Sequence, residues 1–478
     1  MQQIYLKNAS PIHVETVVRT VPHQREVVRG TWQDAHGKAQ KIYAKFFFGA
    51  RAAQHYARDL SGITDLVAAK IPTPPLLFQG QDASGLAYIL IFSEIQNALN
   101  AEESWQNLDE KARFNLAKRL VAEIAKHHNA GLLQTDLYLK NFLVDNDKIY
   151  TLDGDGIRKF TRLSQQRALK NLSVLLSKFD VLEVEVWLAD LLKAYAEDRG
   201  WGTLRDAGSI KKMTNTHRQK VASHYADKKV FRQCADVKSY ALESSWILVC
   251  RAYENIDFSG NLDALLTEQN LLKRGNTCTV ALAEIDGKKA VIKRYNIKNF
   301  WHGLSRAVRQ TRAAASWANA HRLKILGIAT VQPIALIENP NFGFLNGKAY
   351  FLAEYIDAPD AAEFFSKTHN KKARADAVKN IVILFYKLFL LKISHGDMKA
   401  TNIKMLDNKP VLIDLDSMQQ HRFDAFALTA HVRDLRRFMQ NWQDDNALYN
   451  AFVETYRVIY EDFEPLEKAG IFQNKEIA

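Results

Sequence analysis

The chain has 478 residues, of which 47% are hydrophobic and 25% are charged. This composition excludes a disordered or fibrous chain and predicts an ordinary soluble protein with two or three globular domains. The net charge of +12 and the pI near 9.3 indicate an acidic partner: a nucleotide, a nucleic acid, an anionic lipid or a phosphorylated sugar. A basic surface that serves only solubility is the alternative.

Targeting signals and cysteines favour a reducing compartment. The N-terminal segment lacks the basic, apolar and small-residue order of a signal peptide. The most apolar predicted helix, at 381–393, contains two lysines and is too short to span a bilayer. Cys234, Cys250 and Cys278 are too widely spaced for a disulfide framework or a metal knuckle. We therefore expect a cytoplasmic protein without a transmembrane span.

The first predicted strands surround a lysine. Residues 26–30 and 41–48 are predicted to be strands, and the second contains a single lysine, Lys45, among apolar and aromatic neighbours. Burying this charge is costly unless it has an anionic partner. In a kinase the partner is the α- and β-phosphates of ATP together with a helix acid, and Asp59 in the predicted helix at 52–60 provides one. The alternative is a lysine that points outward from a half-buried strand.

A hinge and a long helix follow. Residues 86–92 are predicted to form an apolar strand that ends beside Glu94, where the hinge of a nucleotide site would lie. Residues 108–128 have the pattern of a long amphipathic helix, which leads into a polar loop.

Two loops in the chain share one spacing of acidic and amide residues. In each, an Asp is followed by an Asn five residues later and by a second Asp seventeen residues later. The residues are Asp136, Asn141 and Asp153 in the first copy, and Asp397, Asn402 and Asp414 in the second. This order is the catalytic and metal-binding pattern of protein-kinase-like enzymes. A loop Asp that only caps a turn is the alternative for one residue, but the repeated spacing argues against it for the set.

A predicted strand with a lysine, similar to the strand of Lys45, also precedes the second Asp loop. Residues 290–294 are close to the Val-Ala-Ile-Lys strand of kinases, with Lys293 as the lysine. The next predicted helix lacks an acid at the corresponding position, where Ser316 or Asn319 falls. The predicted strand at 349–353 is followed by Glu354, as the predicted strand at 86–92 ends beside Glu94.

Two further segments bear on the acceptor. A basic, aromatic stretch at 298–312 is interpreted as a membrane- or phosphate-facing helix or as a plain basic face, rather than as a nucleic-acid site. Neither copy has a long segment after its second Asp that would dock a peptide. We therefore expect a small-molecule or sugar acceptor.

Phosphoryl transfer requires mainly position and charge from a protein. Asp136 and Asp397 would accept the proton of the acceptor hydroxyl or orient that hydroxyl. Lys45 and Lys293 would anchor the α- and β-phosphates of ATP, and Lys399 would neutralise charge on the transferred phosphoryl group. Oxygen ligands suit Mg²⁺, and the predicted ligands are Asn141, Asp153, Asn402 and Asp414. The predicted nucleotide-binding residues are Lys45, Asp59, Glu94, Lys293 and Glu354.

At these residues the chain resembles the lipopolysaccharide kinase family, the inner-core heptose and Kdo kinases. Residues 134–142 are similar to the heptose-kinase-type loop, and residues 272–280 and 395–403 to the InaA-type branch. The resemblance implies an α+β fold with two tandem protein-kinase-like domains, each a small β-rich N-lobe and a helical C-lobe. We assign 1–235 to the first domain and 236–478 to the second, with the boundary between about 230 and 260.

The resemblance also implies a function. It implies an ATP- and Mg²⁺-dependent transferase that phosphorylates sugar hydroxyls of the lipopolysaccharide inner core, heptose or Kdo. Its place would be the cytoplasm or, peripherally, the anionic cytoplasmic face of the inner membrane.

The chain departs from the family pattern at three positions. The second copy lacks the helix acid, and the first has Gln134 in place of the usual His and Asp59 in place of Glu. Either unit could therefore be inactive. The alternatives are a pseudokinase-type nucleotide-binding scaffold in lipopolysaccharide assembly and a kinase for another small-molecule acceptor.

Overall fold

The computed structural model describes residues 2–146, 148–202, 206–243, 245–258, 260, 262–275, 277–295, 311–339 and 347–471. It mixes helices and strands, which confirms the α+β class. Its contacts divide the chain into two compact units, Met1–His217 (unit 1) and Arg218–Ala478 (unit 2). The basic segment predicted at 298–312 lies outside the described residues up to residue 310.

Unit 1 begins with a six-stranded antiparallel sheet of order β1-β2-β3-β4-β6-β5. The strands are β1 (Gln2–Leu6), β2 (Ala9–Val21), β3 (Arg25–Gln33), β4 (Ala39–Phe47), β5 (Leu76–Gln81) and β6 (Tyr88–Ser93). In β4, Ile42, Ala44 and Phe46 alternate with more exposed residues and enter one apolar cluster. Because side chains alternate along a strand, Lys45 lies on the other face.

Helix α1 (Ala52–Ala68) packs against the sheet and against a 3₁₀ turn, Gly154–Gly156. A Cβ on Gly62 of α1 would lie 1.9 Å from the carbonyl oxygen of Gly154, and a Cβ on Gly154 would lie 2.2 Å from that of Asp59. The two glycines therefore allow a helix and a turn to approach at backbone distance, which positions Asp59 beside Asp153.

The rest of unit 1 is largely helical. The helices are α2 (Ala101–Gln106), α3 (Glu110–Asn129), α4 (Gln165–Leu176), α5 (Val181–Asp198) and α6 (Ala207–Asp227), the last of which continues into unit 2. The short strand β7 (Leu99–Asn100) precedes α2, and four more lie between α3 and α4: β8 (Leu132–Gln134), β9 (Phe142–Asp145), β10 (Lys148–Thr151) and β11 (Ile157–Lys159). The apolar faces of α3, α4 and α5 meet at Leu120, Leu172 and Leu191, all fully buried. This core holds the Asp136 loop at its edge.

Unit 2 has a seven-stranded antiparallel sheet of order β12-β13-β17-β18-β16-β15-β14. The strands are β12 (Val237–Leu242), β13 (Ser245–Cys250), β14 (Leu271–Arg274), β15 (Cys278–Ile285), β16 (Lys288–Tyr295), β17 (Pro333–Glu338) and β18 (Ala349–Glu354). Helix α7 (Arg312–Ile325) contacts this sheet and the 3₁₀ turn Leu415–Ser417.

The helical part of unit 2 follows its sheet. The helices are α8 (Ala361–Lys367), α9 (Lys371–Leu390), α10 (Asp424–Met439), α11 (Asn446–Ile459) and α12 (Glu464–Ala469). The short strands are β19 (Ile393–Ser394), β20 (Ile403–Leu406), β21 (Lys409–Leu412) and β22 (Gln419–Gln420). Aromatic rings of α9, α10 and α11 form the centre of the core, including Phe385, Phe438 and Phe452.

Across the described ranges, no helix combines the length and the apolar character needed to cross a membrane. The predicted apolar helix is α9, whose residues Ile381, Val382 and Phe385 are fully buried in the protein core. Its apolar character is therefore explained by packing.

We expect Gly62→Ala to lower the free energy of unfolding by about 1–3 kcal/mol, because the new methyl group would overlap the Gly154 carbonyl and force α1 away from the turn. Gly208→Ala is the matched control, since the space around this glycine near the start of α6 accepts a methyl group. Urea-induced unfolding measures both. Equal stability of the two variants would contradict the close approach.

Candidate active site

In unit 1 the structure brings together three residues that the sequence analysis selected. Lys45 Nζ lies 2.8 Å from Asp59 Oδ2 and 3.3 Å from Asp153 Oδ1. Asp59 is fully buried, and its Oδ1 accepts the N–H of Gly154 at 3.1 Å. Helix α1 is thereby tied to both the strand lysine and the turn that follows Asp153.

Burial and charge act in opposite directions on these groups. Burial opposes the charged form of Lys45, but Asp59 and Asp153 outweigh it and raise the pKa of the lysine. Burial also opposes ionisation of Asp153, but Lys45 and Arg25 outweigh it and lower the pKa of this carboxyl. For Asp59 burial prevails over Lys45 and raises the pKa. Lys45 is therefore a charged, enclosed ammonium group, which suits a phosphate.

The Asp136 loop lies near Asp153. The Asn141 side-chain nitrogen donates to the main-chain oxygen of Asp136 at 2.8 Å, which leaves Asn141 Oδ1 as the atom that can ligate a metal. Asp153 has a left-handed backbone with φ of 66°, an unfavourable conformation for a non-glycine residue and one that clusters at functional sites. Burial and the charge of Asp153 raise the pKa of Asp136, which favours a proton acceptor.

A cavity of about 310 Å³ opens beside these groups in unit 1. Its lining includes Tyr43, Lys45, Phe92, Glu94, Asn141 and Asp153. The mixture of apolar and charged walls and the volume are typical of a small-ligand site. The carboxylate of Glu94 is held by Arg29, with Nε–Oε1 at 2.9 Å and Nη2–Oε2 at 3.2 Å. The carboxylate of Glu94 is thus hydrogen-bonded to another side chain of unit 1.

In unit 2 the strand lysine has a carboxylate partner but no helix acid. Lys293 Nζ lies 2.9 Å from Asp414 Oδ1. Asn319 on α7 donates its side-chain nitrogen to the carbonyls of Leu415 and Met418, each at 2.9 Å, while Ser316 contacts the hydroxyl of Tyr295. An amide that donates to carbonyls thus ties helix and turn together here, where unit 1 uses an acid that accepts from an N–H.

The Asp397 loop repeats the local bonding of the first copy. The Asn402 side-chain nitrogen donates to the main-chain oxygen of Asp397 at 2.7 Å, and Asp414 has φ of 60°. Lys399 Nζ lies 2.8 Å from Asp397 Oδ2. Burial opposes ionisation of Asp414, but Lys293 outweighs it and lowers its pKa. Glu354 accepts a hydrogen bond from the Tyr253 hydroxyl.

The residue two positions before the first Asp differs between the copies but makes the same bond. Gln134 Nε2 donates to the carbonyl of Leu152 at 3.2 Å, and His395 Nε2 lies 2.9 Å from the carbonyl of Ile413. Each carbonyl belongs to the residue before the second Asp of the motif. Gln134 departs from the kinase pattern but therefore preserves the hydrogen bond between the segment before Asp136 and the residue before Asp153.

Two further residues fix these loops and were not selected from the sequence. Asp434 on α10 accepts the N–H groups of His395 at 2.6 Å and of Gly396 at 3.0 Å. Asn171 on α4 donates to the carbonyl of Gln134 at 2.9 Å. The available signal was a polar residue on the apolar face of the helix after each motif.

The candidate metal ligands are few. Within the described ranges, no group of three or more His, Cys, Asp or Glu side chains could hold a metal ion. Each unit instead offers one Asp carboxylate and one Asn carbonyl, hard oxygen ligands that fit Mg²⁺ when phosphate oxygens complete its coordination.

We expect His395→Gln to change the free energy of unfolding little, because Gln134 makes the corresponding bond in unit 1. His395→Ala removes the buried side chain that donates to the Ile413 carbonyl, and we expect the free energy of unfolding to fall by about 1–3 kcal/mol. Urea-induced unfolding measures both. If the glutamine variant is as unstable as the alanine variant, the bond is not the function of this position.

We expect Lys293→Met to destabilise unit 2 by about 1–3 kcal/mol at pH 7, because ionised Asp414 loses its cation. The lowered pKa means that Asp414 contributes stability above its unfolded pKa, about 3.9, and loses it as the pH falls through the folded value. The difference from the unsubstituted protein should therefore shrink near and below pH about 4. Lys289→Met on the same strand, where the lysine is exposed, is the control. A pH-independent difference between Lys293→Met and the unsubstituted protein would contradict the pairing.

Comparisons with known proteins agree with the resemblance seen in the sequence. A curated protein, the 3-deoxy-D-manno-octulosonic acid kinase of Vibrio parahaemolyticus serotype O3:K6 (strain RIMD 2210633), is 29% identical over 117 residues. The alignment covers 24% of this chain and 48% of that relative, so the chain spans about half the length of the curated relative it matches.

The family model described as lipopolysaccharide kinase (Kdo/WaaP) family matches residues 33–195 and 265–456. The first match contains Lys45 and the Asp136 loop, and the second contains Lys293 and the Asp397 loop. Because the two matches together cover most of the sequence, the chain belongs to the lipopolysaccharide kinase (Kdo/WaaP) family.

Proposed function

We propose that the protein is an ATP- and Mg²⁺-dependent kinase that phosphorylates sugar hydroxyls of the lipopolysaccharide inner core, heptose or Kdo. The observation that carries the proposal is the recurrence of one arrangement in two units: a strand lysine paired with an Asp, and an Asn bonded to the loop of another Asp. Membership of the family and similarity to a 3-deoxy-D-manno-octulosonic acid kinase support a sugar acceptor.

The proposal includes two tandem protein-kinase-like domains, at 1–235 and 236–478. Each unit has an antiparallel sheet, a helix against it and a helical part with the Asp loop, which supports this arrangement. The contact division falls inside α6, ahead of the boundary between about 230 and 260 that the sequence predicts.

The chemistry assigned to the residues follows from their contacts. Lys45 and Lys293 would bind the α- and β-phosphates of ATP, and Asp59, Glu94 and Glu354 would shape the nucleotide sites. Asn141 with Asp153, and Asn402 with Asp414, would hold Mg²⁺, which when bound neutralises phosphate charge.

Asp136 and Asp397 would act on the acceptor. The carboxylate accepts the proton of the sugar hydroxyl as its oxygen bonds to the γ-phosphorus, and the bond to the bridging oxygen breaks to release ADP. Lys399, already in contact with Asp397, would stabilise negative charge on the transferred group. The raised pKa of Asp136 supports this role in unit 1.

The environment of the acceptor fits a sugar on a membrane surface. Only residues 154–164 separate Asp153 from α4, and only residues 415–423 separate Asp414 from α10, which leaves no room for a long peptide-docking segment. The charge of +12 supports peripheral binding to the anionic cytoplasmic face of the inner membrane. A second candidate function, a nucleotide-binding scaffold, rests on the missing helix acid in unit 2.

The test is transfer of labelled γ-phosphate from ATP to dephosphorylated core lipopolysaccharide. We expect Asp136→Ala or Asp397→Ala to lower transfer by about 100-fold or more at the unit that each serves, since the proton acceptor is lost. Asp190→Ala and Asp444→Ala, which remove exposed carboxylates from units 1 and 2, are the matched controls.

The pattern of losses discriminates between the alternatives. Complete loss in one variant identifies a single active unit, and partial losses at different sugar positions indicate two. Full transfer by both variants would refute the assigned proton acceptors. No transfer by the unsubstituted protein, with Mg²⁺-dependent ATP binding that Asp153→Ala and Asp414→Ala abolish, would favour the scaffold or another acceptor.

A further inference from the structure

A second cavity, of about 500 Å³, lies in unit 2 beside Asp397. Its lining includes Gly396, Asp397, His421, Arg433, Arg436 and Arg437. We call it the arginine cavity. Three of these side chains come from helix α10, the helix that fixes the Asp397 loop through Asp434.

The three arginines share one face of α10, because residues three and four apart are neighbours on a helix. Like charges at this spacing repel, so the cluster is unfavourable unless anionic groups lie nearby. Two carboxylates line the cavity. Asp434 is buried and occupied by two main-chain N–H groups, and Asp397 is already paired with Lys399.

The three guanidinium groups differ in their hydrogen-bond and ion-pair partners. Arg436 donates to the carbonyls of Lys468 and Ala469. Arg437 Nε lies 3.7 Å from Asp397 Oδ1, and its Nη1 lies 3.4 Å from Gln440 Oε1.

Arg433 is exposed and has neither a hydrogen bond nor an ion pair with any residue that the structure describes. His421 adds no negative charge, because imidazole is either neutral or cationic. Burial and the charge of Arg433 lower the pKa of His421 and favour its neutral form. The cavity thus has an excess of positive charge next to the proposed proton acceptor.

Unit 1 does not repeat this cluster. Asn171 on α4 bonds to the main chain of Gln134, as Asp434 bonds to that of His395, so the two helix positions correspond. The positions that then match the three arginines hold Lys170, Ser173 and Val174. The arginine cavity therefore distinguishes the acceptor side of unit 2.

We propose that the arginine cavity binds the acid group, a carboxylate or a phosphate, of the sugar whose hydroxyl Asp397 deprotonates. This inference rests on the proposed function and specifies the substrate class of unit 2. Arg433 and Arg437 are the specificity residues, because a guanidinium group forms paired hydrogen bonds with a planar carboxylate or with phosphate oxygens. A neutral sugar would leave Arg433 without an anion and Arg437 with only the carboxylate of Asp397.

The experiment is calorimetric titration of the full chain with 3-deoxy-D-manno-octulosonate, with mannose 6-phosphate and with mannose. We expect one or both acids to bind more tightly than mannose, and the double variant Arg433→Gln/Arg437→Gln to weaken acid binding about tenfold or more. The acid that is affected identifies the carboxylate or the phosphate as the ligand. Arg457→Gln, which removes an arginine paired with Glu454 on α11 outside the cavity, should bind as the unsubstituted protein does.

The double variant Arg433→Lys/Arg437→Lys keeps the two positive charges but loses the planar guanidinium groups that form paired hydrogen bonds. We expect its affinity for the acids to lie between those of the unsubstituted protein and the double glutamine variant. The inference is overturned if neither acid binds more tightly than mannose, or if the double glutamine variant binds the acids as tightly as the unsubstituted protein.

Phosphate transfer to core lipopolysaccharide separates the two proposals. Arginine-dependent acid binding without any transfer would refute the kinase function and keep the cavity assignment. Transfer by unit 2, measured in the Asp136→Ala background, with a KM that the double glutamine substitution leaves unchanged would refute the cavity assignment and keep the kinase function.

Discussion

A lysine held inside the protein by a carboxylate is the interaction on which both units depend. Lys45 and Lys293 lie on central strands, and Asp153 and Asp414 follow short hairpins far along the chain. A charge that is largely removed from water destabilises the fold unless its partner is close, so each pair requires its sheet and its loop to meet in one arrangement. The ammonium group in each pair keeps further N–H donors, to which a phosphate oxygen can bind.

The units satisfy equivalent backbone contacts with different side chains. A carboxylate, Asp59, accepts from the N–H of Gly154, whereas an amide, Asn319, donates to carbonyls of the corresponding turn. Gln134 and His395 likewise bond to carbonyls in equivalent places. The backbone arrangement is thus shared while the chemistry of its supports varies. Departures from a motif at such supporting positions are therefore weak arguments for an inactive site.

The surroundings of Asp136 differ from those of Asp397. Asp397 is flanked by Lys399 and Arg437, whereas in unit 1 the position of Lys399 is taken by Tyr138, whose ring lies 4.3 Å from Lys178 Nζ. Asp397 therefore has two cationic side chains in contact, whereas Lys140 and Lys178 act on Asp136 only as nearby charges.

The sequence by itself determined the α+β class, the family, and the strand lysines and Asp loops, because these features depend on spacing within short segments. The strand that contains the lysine and the Asn that follows an Asp by five residues each lie within one short segment. Their pattern can therefore be recognised in the sequence without knowledge of the fold. It also placed Asp59 on the helix after the Lys45 strand, where the structure finds it in contact with that lysine.

Only the tertiary structure decided which distant groups meet. The bonds of Asp434 to the Asp397 loop, the equivalence of Gln134 and His395, and the arginine cavity all join residues from separate elements. A buried Asp on a helix and a cluster of arginines beside it look alike in sequence, as polar residues of an amphipathic helix. Packing against the core and the loops gives them different burial and different partners, and that difference separates a supporting residue from a binding one.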